Sequence, residues 1–222
     1  MHTEAEEHLR VIRSLMEKAT VYRAISAPTA LVGGLLTTLT AIGLMFSVAS
    51  QRAADLDLNI AIAMSPPAAM WPYFVVLGLT AGANTFFLWK DSQARREAFI
   101  SSGMRLALRN LLPSMLLGGV VTIASVSAPA LAISWIGIYG LGLLATQSFA
   151  PKSIAWLGWA FLCSALIVPI CLMFNHRMKF EWISNAQFPH IAMLVTFGLF
   201  HLIYAACTWP RNADKTLAEA AP

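Results

Sequence analysis

The sequence predicts an all-α, polytopic transmembrane helix bundle with about six spans, preceded by an N-terminal amphipathic helix. Hydrophobic residues make up 58% of the 222 residues and charged residues 12%, whereas soluble domains carry about 25% charged residues. Long runs of the chain also lack Asp, Glu, Lys and Arg, and a helix needs roughly 20 apolar residues to cross a bilayer. The lipid bilayer is therefore an expected partner of the folded surface.

Each charge-free run predicts the position of one or two spans. The runs that fit one crossing lie between Arg23 and Arg52, Asp57 and Lys90, Lys152 and Arg177, and Glu181 and Arg211. The run between Arg109 and Lys152 is long enough for a helical hairpin, with Pro129 at its turn. The transmembrane domain is predicted at residues 27–209, with spans at 28–48, 71–89, 111–127, 130–149, 154–174 and 189–209.

The basic residues predict the orientation in the membrane. With a cytoplasmic N-terminus, twelve of the fifteen Lys and Arg residues face the cytoplasm, and only Arg52, Arg177 and Lys179 face the other side. Short cytoplasmic loops carry an excess of Lys and Arg. We therefore expect a multi-pass protein of the cell (inner) membrane, with the N-terminus and the C-terminal tail, residues 210–222, in the cytoplasm. A cleaved signal peptide is disfavoured, because the first apolar run is too long and acidic residues precede it.

Two segments outside the predicted spans carry most of the polar side chains. Residues 1–26 are predicted to form a cytoplasmic amphipathic helix, with apolar residues at helical spacing. Residues 90–110 are basic and are expected to lie on the inner leaflet. A protein partner at the cytoplasmic face would contact Arg13, Glu17, Arg95 and Arg96. Nucleic acid is not an expected partner, because positive-inside bias explains the net charge of +4.

Glycines spaced by four residues predict close helix packing. Gly78 and Gly82 form one such pair in the second span. Packing within one chain is the favoured interpretation, and a homo-oligomer is the alternative.

Few polar side chains inside the predicted spans are candidates for a site. Threonine hydroxyls can bond to their own helix backbone, so most need no function. The candidate intramembrane polar site consists of His201, Asn84, Tyr139 and Tyr204. The simpler interpretation of His201 is a neutral imidazole that hydrogen-bonds to a neighbouring helix.

The histidines near the fifth and sixth spans are weak candidates for metal ligands. His176 and His190 flank the external loop, but zinc normally takes three or four protein ligands. On an α-helix, His190 and His201 would lie within about 20° of the same face and about 16 Å apart along the axis. They are thus expected to face the same way without sharing a metal. No cofactor is predicted, and haem or metal binding is kept as an alternative.

Three segments carry a resemblance to a known family. They are Ile12–Ala19, Tyr139-Gly140-Leu141, and Phe197-Gly198 together with His201 and Tyr204. In these segments the chain resembles a family of small uncharacterised bacterial six-helix integral membrane proteins with an N-terminal amphipathic helix. The resemblance implies this architecture and no activity, and it draws attention to Arg13, Glu17, His201 and Tyr204.

The catalytic motifs of common enzyme classes do not occur in the sequence. It contains no Gly-x-Ser-x-Gly, Walker, His-Glu-x-x-His or Cys-x-x-Cys pattern. We therefore expect a non-enzymatic protein, an accessory or regulatory subunit that presents cytoplasmic helices to a partner. The alternatives are a small carrier or channel for a neutral solute and a haem-binding electron-transfer subunit.

Overall fold

The computed structural model describes residue 7 and residues 27–53, 70–95, 102–148, 150–177 and 186–209, which are helices and short turns. Within these ranges each of six helices is long and apolar enough to cross a membrane. The prediction of an all-α, multi-pass membrane fold is confirmed. The helices are α1 Ala27–Ala53, α2 Trp71–Arg95, α3 Ser102–Ala124, α4 Ala128–Ala145, α5 Lys152–Arg177 and α6 Phe188–Thr208.

Each predicted span overlaps one helix, and the largest difference is at α3. That span was placed at 111–127, whereas α3 begins at Ser102 and ends at Ala124. Much of the predicted surface segment 90–110 therefore belongs to α2 and α3. The predicted span began after Arg109 because Arg105 and Arg109 are charged. In the structure both residues lie within α3 and are exposed. Long basic side chains near a helix end can reach the headgroups while the helix continues.

Several predicted features lie outside the described part of the chain. They include the amphipathic helix of residues 1–26, apart from Glu7, and the tail of residues 210–222. The side chains of Arg13, Glu17, Arg95, Arg96 and His176 also lie outside it.

The turn between α3 and α4 lies where Pro129 predicted it. Ser127 caps α4 in an extended conformation, and its side chain accepts a hydrogen bond from the backbone N–H of Ala130 at 3.3 Å. Pro129 occupies the first turn of α4, where a missing N–H costs no intrahelical bond. Antiparallel packing of the two helices follows, with Trp135 Nε1 donating to Thr122 Oγ1 at 2.9 Å.

The centre of the bundle is formed by α4, which contacts α3, α5 and the start of α6. Its approach to α5 depends on Gly140, because a Cβ there would lie 2.9 Å from the backbone nitrogen of Leu162 and 3.0 Å from the carbonyl oxygen of Gly158. This close contact fixes the height of α4 against α5. It thereby positions Tyr139, the residue before Gly140, beside Phe161.

The first helix lies between α2 and α6. On the α6 side, a Cβ at Gly34 would lie 3.0 Å from Leu202 Cγ. A Cβ at Gly198 would lie 2.7 Å from Thr38 Oγ1. Because both positions lack a side chain, α1 and the second half of α6 touch almost backbone to backbone.

Gly78 and Gly82 do not pack against any other part of the chain that the structure describes. Nothing lies within 4 Å of a Cβ built on either residue, and both are on the exposed side of α2. The prediction that this pair serves packing inside one chain was wrong. Gly78 and Gly82 are four residues apart and therefore lie on one face of α2, but the sequence does not tell which face of the helix packs against the bundle.

Candidate functional site

A tyrosine and a histidine form a hydrogen-bonded pair between α4 and α6. The Tyr139 hydroxyl lies 2.8 Å from Nε2 of His201. The Tyr139 ring is also 5.5 Å from the imidazole ring, centroid to centroid. Both residues lie in the interior half of their spans, away from the helix ends. The pair is therefore a polar contact inside the membrane domain.

Aromatic side chains from α5 and α6 surround this pair. Phe161 is completely buried and its ring lies 4.8 Å from that of Tyr139 and 5.6 Å from that of His201. Phe197 stacks on His201 at 6.1 Å with an interplanar angle of 11°. Phe200 meets Phe161 edge to face at 5.6 Å. We refer to Tyr139, Phe161, Phe197, Phe200 and His201 as the aromatic cluster.

The second imidazole nitrogen of His201 indicates which tautomer is present. Nδ1 is buried without a hydrogen-bond partner among the described residues, while the backbone carbonyls of Phe197 and Thr196 on the same helix interact with the imidazole. Carbonyls are acceptors, so they favour a proton on Nδ1. Nε2 then accepts the hydrogen bond and the Tyr139 hydroxyl donates it. The oxygen of Tyr139 keeps a lone pair for a further donor.

Three of the four residues predicted for the intramembrane polar site lie together. Tyr204 is buried in the cluster that Phe161 and Ile136 form between α4, α5 and α6, and it interacts electrostatically with Tyr139. Asn84 is elsewhere: its Oδ1 accepts a hydrogen bond from Thr29 Oγ1 at 3.1 Å, between α1 and α2. The described contacts of Asn84 thus join a different pair of helices.

A second tyrosine–histidine pair, which the sequence did not indicate, joins α2 to α6. The Tyr73 hydroxyl lies 3.1 Å from Nδ1 of His190, and the two rings stack at 5.9 Å. Both residues are buried. Tyr73 lies three residues into its span, a position typical of an aromatic membrane anchor. No sequence signal distinguished it from such an anchor.

The two histidines do not face the same helix, because α6 is not a continuous α-helix. Its middle, Leu194–Phe200, is π-helical. A π turn takes up about one more residue than an α turn, which changes the face of later residues by about 100°. His190 accordingly meets α2, and His201 meets α4. The expectation that both point the same way was wrong, since it assumed α geometry throughout.

Two buried threonines depart from the pattern that the other membrane threonines follow. The hydroxyls of several threonines bond to a carbonyl three or four residues earlier, namely those of Thr85, Thr122, Thr146, Thr196 and Thr208. Oγ1 of Thr38 and Oγ1 of Thr80 are buried and have no hydrogen-bond partner among the described residues. Thr38 lies against the π-helical segment of α6 at Gly198.

Among the described residues, no three His, Cys, Asp or Glu side chains lie close enough together to hold a metal ion. His190 Nδ1 is next to the Tyr73 hydroxyl, and the side chain of His176 is outside the described part. To bind a haem iron through Nε2, His201 would have to give up its hydrogen bond with Tyr139.

Comparison of the chain with protein-family models, curated proteins and solved structures gave no significant match.

The chemistry available at the Tyr139–His201 pair is hydrogen bonding without charge. A neutral imidazole and a phenol can together donate and accept, and the aromatic faces provide an apolar contact surface. This combination suits a small uncharged molecule with one or two polar atoms.

Proposed function

We propose that this protein is a membrane carrier for a small neutral solute, with Tyr139, His201 and Tyr204 as the polar side chains that the solute meets. The observation that supports the proposal is the hydrogen-bonded Tyr139–His201 pair directly after the π-helical segment of α6. Polar side chains inside membrane helices tend to mark substrate pathways. Irregular helices near the middle of the bilayer are a recurring feature of carrier binding sites.

The lack of charge in the aromatic cluster supports a neutral solute. Its polar members are a phenol and an imidazole, and its other members are phenylalanines. A charged solute would lose its hydration without an opposite charge nearby, which costs several kcal/mol in an apolar interior. A neutral solute loses only hydrogen bonds, which Tyr139 and His201 can replace.

A flux assay on proteoliposomes tests the proposal. Vesicles containing the purified chain are challenged with glycerol or urea, and the volume change is followed by light scattering. We expect faster solute entry than in empty vesicles, and loss of that gain with His201→Phe, which keeps ring volume but removes both nitrogens. Tyr139→Phe should act in the same direction.

The matched control is Tyr73→Phe, because it removes one hydroxyl from the other tyrosine–histidine pair. It should leave the flux of the wild-type chain largely intact. If none of the solutes enters faster than in empty vesicles, or if Tyr73→Phe and Tyr139→Phe reduce entry equally, the proposed site is refuted.

The proposed orientation places both termini in the cytoplasm, in the inner membrane of a bacterium. Its support is the distribution of exposed basic residues: Lys90 ends the apolar part of α2, Arg105 and Arg109 lie in the first half of α3, and Lys152 begins α5. Positive-inside bias assigns the end that carries these residues to the cytoplasm. Thiol labelling of cysteines placed at residues 92 and 187 in sealed cells tests this, since only residue 187 should react from outside.

A second candidate function is an accessory or regulatory subunit. Arg105 and Arg109, both exposed and one helical turn apart on α3, favour it as a surface for an acidic partner. Purification in mild detergent followed by mass spectrometry tests it. A stoichiometric second protein that is lost on deletion of residues 1–23 or with Arg105→Glu would support it, and recovery of this chain alone would count against it. The optical spectrum of the same sample tests the haem alternative.

A further inference from the structure

We infer that α6 has two registers, and that relaxation of its π-helical segment to α-helix moves His201 from Tyr139 on α4 to Thr38 on α1. This inference concerns the fold of α6 and does not depend on which solute, if any, the protein carries. It begins from the seven residues Leu194–Phe200, which separate the two tyrosine–histidine pairs.

Relaxation has a defined geometric result. If Phe188–Met193 stays in place and the segment becomes α-helical, every later residue advances by one position, which is about 100° of rotation. His201 then occupies the position that Leu202 holds now. Leu202 packs against Gly34 of α1, where its Cγ is 3.0 Å from the Cβ position of that glycine. The imidazole would therefore face α1.

Thr38 is the polar group that this position offers. It follows Gly34 by one helical turn on α1, and side chains of α6 lean toward the N-terminal end of α6, where Gly198 meets Thr38. A His201 imidazole directed at α1 therefore points at the Thr38 hydroxyl. The small size of Gly34 leaves α1 and α6 close enough for this contact at the place that Leu202 holds now.

Two buried polar atoms without partners agree with the second register. Thr38 Oγ1 and His201 Nδ1 both lack a hydrogen-bond partner in the present register. In the second register, Thr38 gains the imidazole, while His201 loses Tyr139. Each register leaves some groups unsatisfied, and the second is expected to be the minor one, populated at about 0.1–10% as minor conformations of proteins usually are.

Disulfide cross-linking between cysteines placed on α1 and α6, carried out in membranes, shows which residue of α6 lies beside Gly34. In a background without the three native cysteines, Gly34→Cys is combined with Leu202→Cys, His201→Cys or Ile203→Cys. The first pair reports the present register and the second reports the proposed one. Ile203 is 51% exposed and lies about 100° around α6 from Leu202; in the second register it would take the place of Tyr204, about 200° from that of Leu202, so the third pair is the matched control. Oxidation traps rare states, so the pair at 34 and 201 should accumulate well above the control.

Deletion of Val195 gives the decisive comparison. Val195 lies in the π-helical segment and is 42% exposed, so its loss leaves no buried cavity. An α-helix shortened by one residue keeps His201 in its present position and removes the second register. We expect this deletion to preserve the cross-link between 34 and 202 and to reduce that between 34 and 201 to the control level.

Two outcomes overturn the inference. One is a full-length chain in which the cross-link between 34 and 201 never exceeds that between 34 and 203. The other is a deletion variant in which the cross-link between 34 and 201 persists unchanged, which would assign it to general motion. If the deletion variant fails to insert, the comparison of the three pairs in the full-length chain decides alone.

Discussion

The hydroxyl of Tyr139 and Nε2 of His201 lie 2.8 Å apart and join the two central helices of the bundle, α4 and α6. Phe161 packs on both rings from α5. One hydrogen bond and one phenylalanine thus connect three helices.

A double-mutant cycle should find coupling between Tyr139 and His201. We expect Tyr139→Phe and His201→Phe to be non-additive by about 0.6–1.7 kcal/mol, which runs from the average to the maximum measured for hydrogen bonds between membrane helices. The measurement is equilibrium unfolding in mixed detergent micelles. The control cycle combines Tyr139→Phe with His190→Phe, which make no contact with each other, and its coupling should be near zero. Equal coupling in the two cycles would contradict the contact.

The tautomer of His201 can be tested by nitrogen NMR. The Tyr139 hydroxyl lies beside Nε2, and the backbone carbonyls of Phe197 and Thr196 interact with the imidazole, which leaves Nδ1 as the nitrogen they favour for the proton. We therefore expect the 15N spectrum of the labelled imidazole to show a protonated Nδ1 and an unprotonated Nε2. In Tyr139→Phe the Nε2 resonance should move toward the value of an acceptor without a hydrogen bond. A protonated Nε2 in the wild-type chain would contradict the assignment.

The number of spans could be predicted from the sequence because it depends on the lengths of the uncharged runs, which can be read along the chain without knowing its fold. Tyr139, His201 and Tyr204 were also predictable, since polar residues inside apolar runs are visible without a fold. Where Asn84 lies relative to these three residues could not be predicted, because hydropathy does not tell which helices are neighbours. Its described partner is Thr29 on α1.

The π-helical segment could not be predicted from the sequence. The helix that His201 contacts could not be predicted either, because it depends on that segment. Leu194–Phe200 is an apolar run that would read the same way in an α-helix. What distinguishes it is tertiary: Gly198 against Thr38 and the aromatic packing of Phe197 against Phe161. The contact of Tyr73 could not be predicted either, because its partner His190 is 117 residues away in the chain.

Replacing a glycine by alanine should destabilise the chain where the glycine lies in a close helix contact and should not where it lies on an open helix face. Gly140→Ala places a Cβ within 3.0 Å of backbone atoms of Gly158 and Leu162, which cannot move aside as a side chain can. We expect it to destabilise the chain by about 1–3 kcal/mol, as overpacking does. Gly78→Ala is the control, because its Cβ meets nothing within 4 Å. The control should be neutral or stabilising by up to about 1 kcal/mol, since alanine favours helix.

Unfolding in mixed micelles measures both glycine variants. Similar losses of stability in Gly140→Ala and Gly78→Ala would contradict the close packing of α4 on α5.

Truncation of Phe161 should show how much of the stability comes from packing in the aromatic cluster. Phe161 is fully buried and meets Tyr139, Phe197, Phe200 and His201. In a soluble core, Phe→Ala costs about 3–5 kcal/mol, part of which is transfer from water. That part largely disappears where the unfolded reference is still in lipid, because lipid is as apolar as the core. We therefore expect Phe161→Ala to cost about 2 kcal/mol, from lost packing alone.

Phe46→Ala is the matched control, since Phe46 is 73% exposed on α1 and makes few contacts to lose. Its cost should be below about 0.5 kcal/mol, as for other substitutions away from packed sites. Because Phe161 also fixes the Tyr139 ring, Phe161→Ala should in addition reduce the coupling between Tyr139 and His201 when the double-mutant cycle is repeated in that background. If the coupling remains unchanged while stability falls, Phe161 packs in the bundle without holding the hydrogen-bonded pair in place.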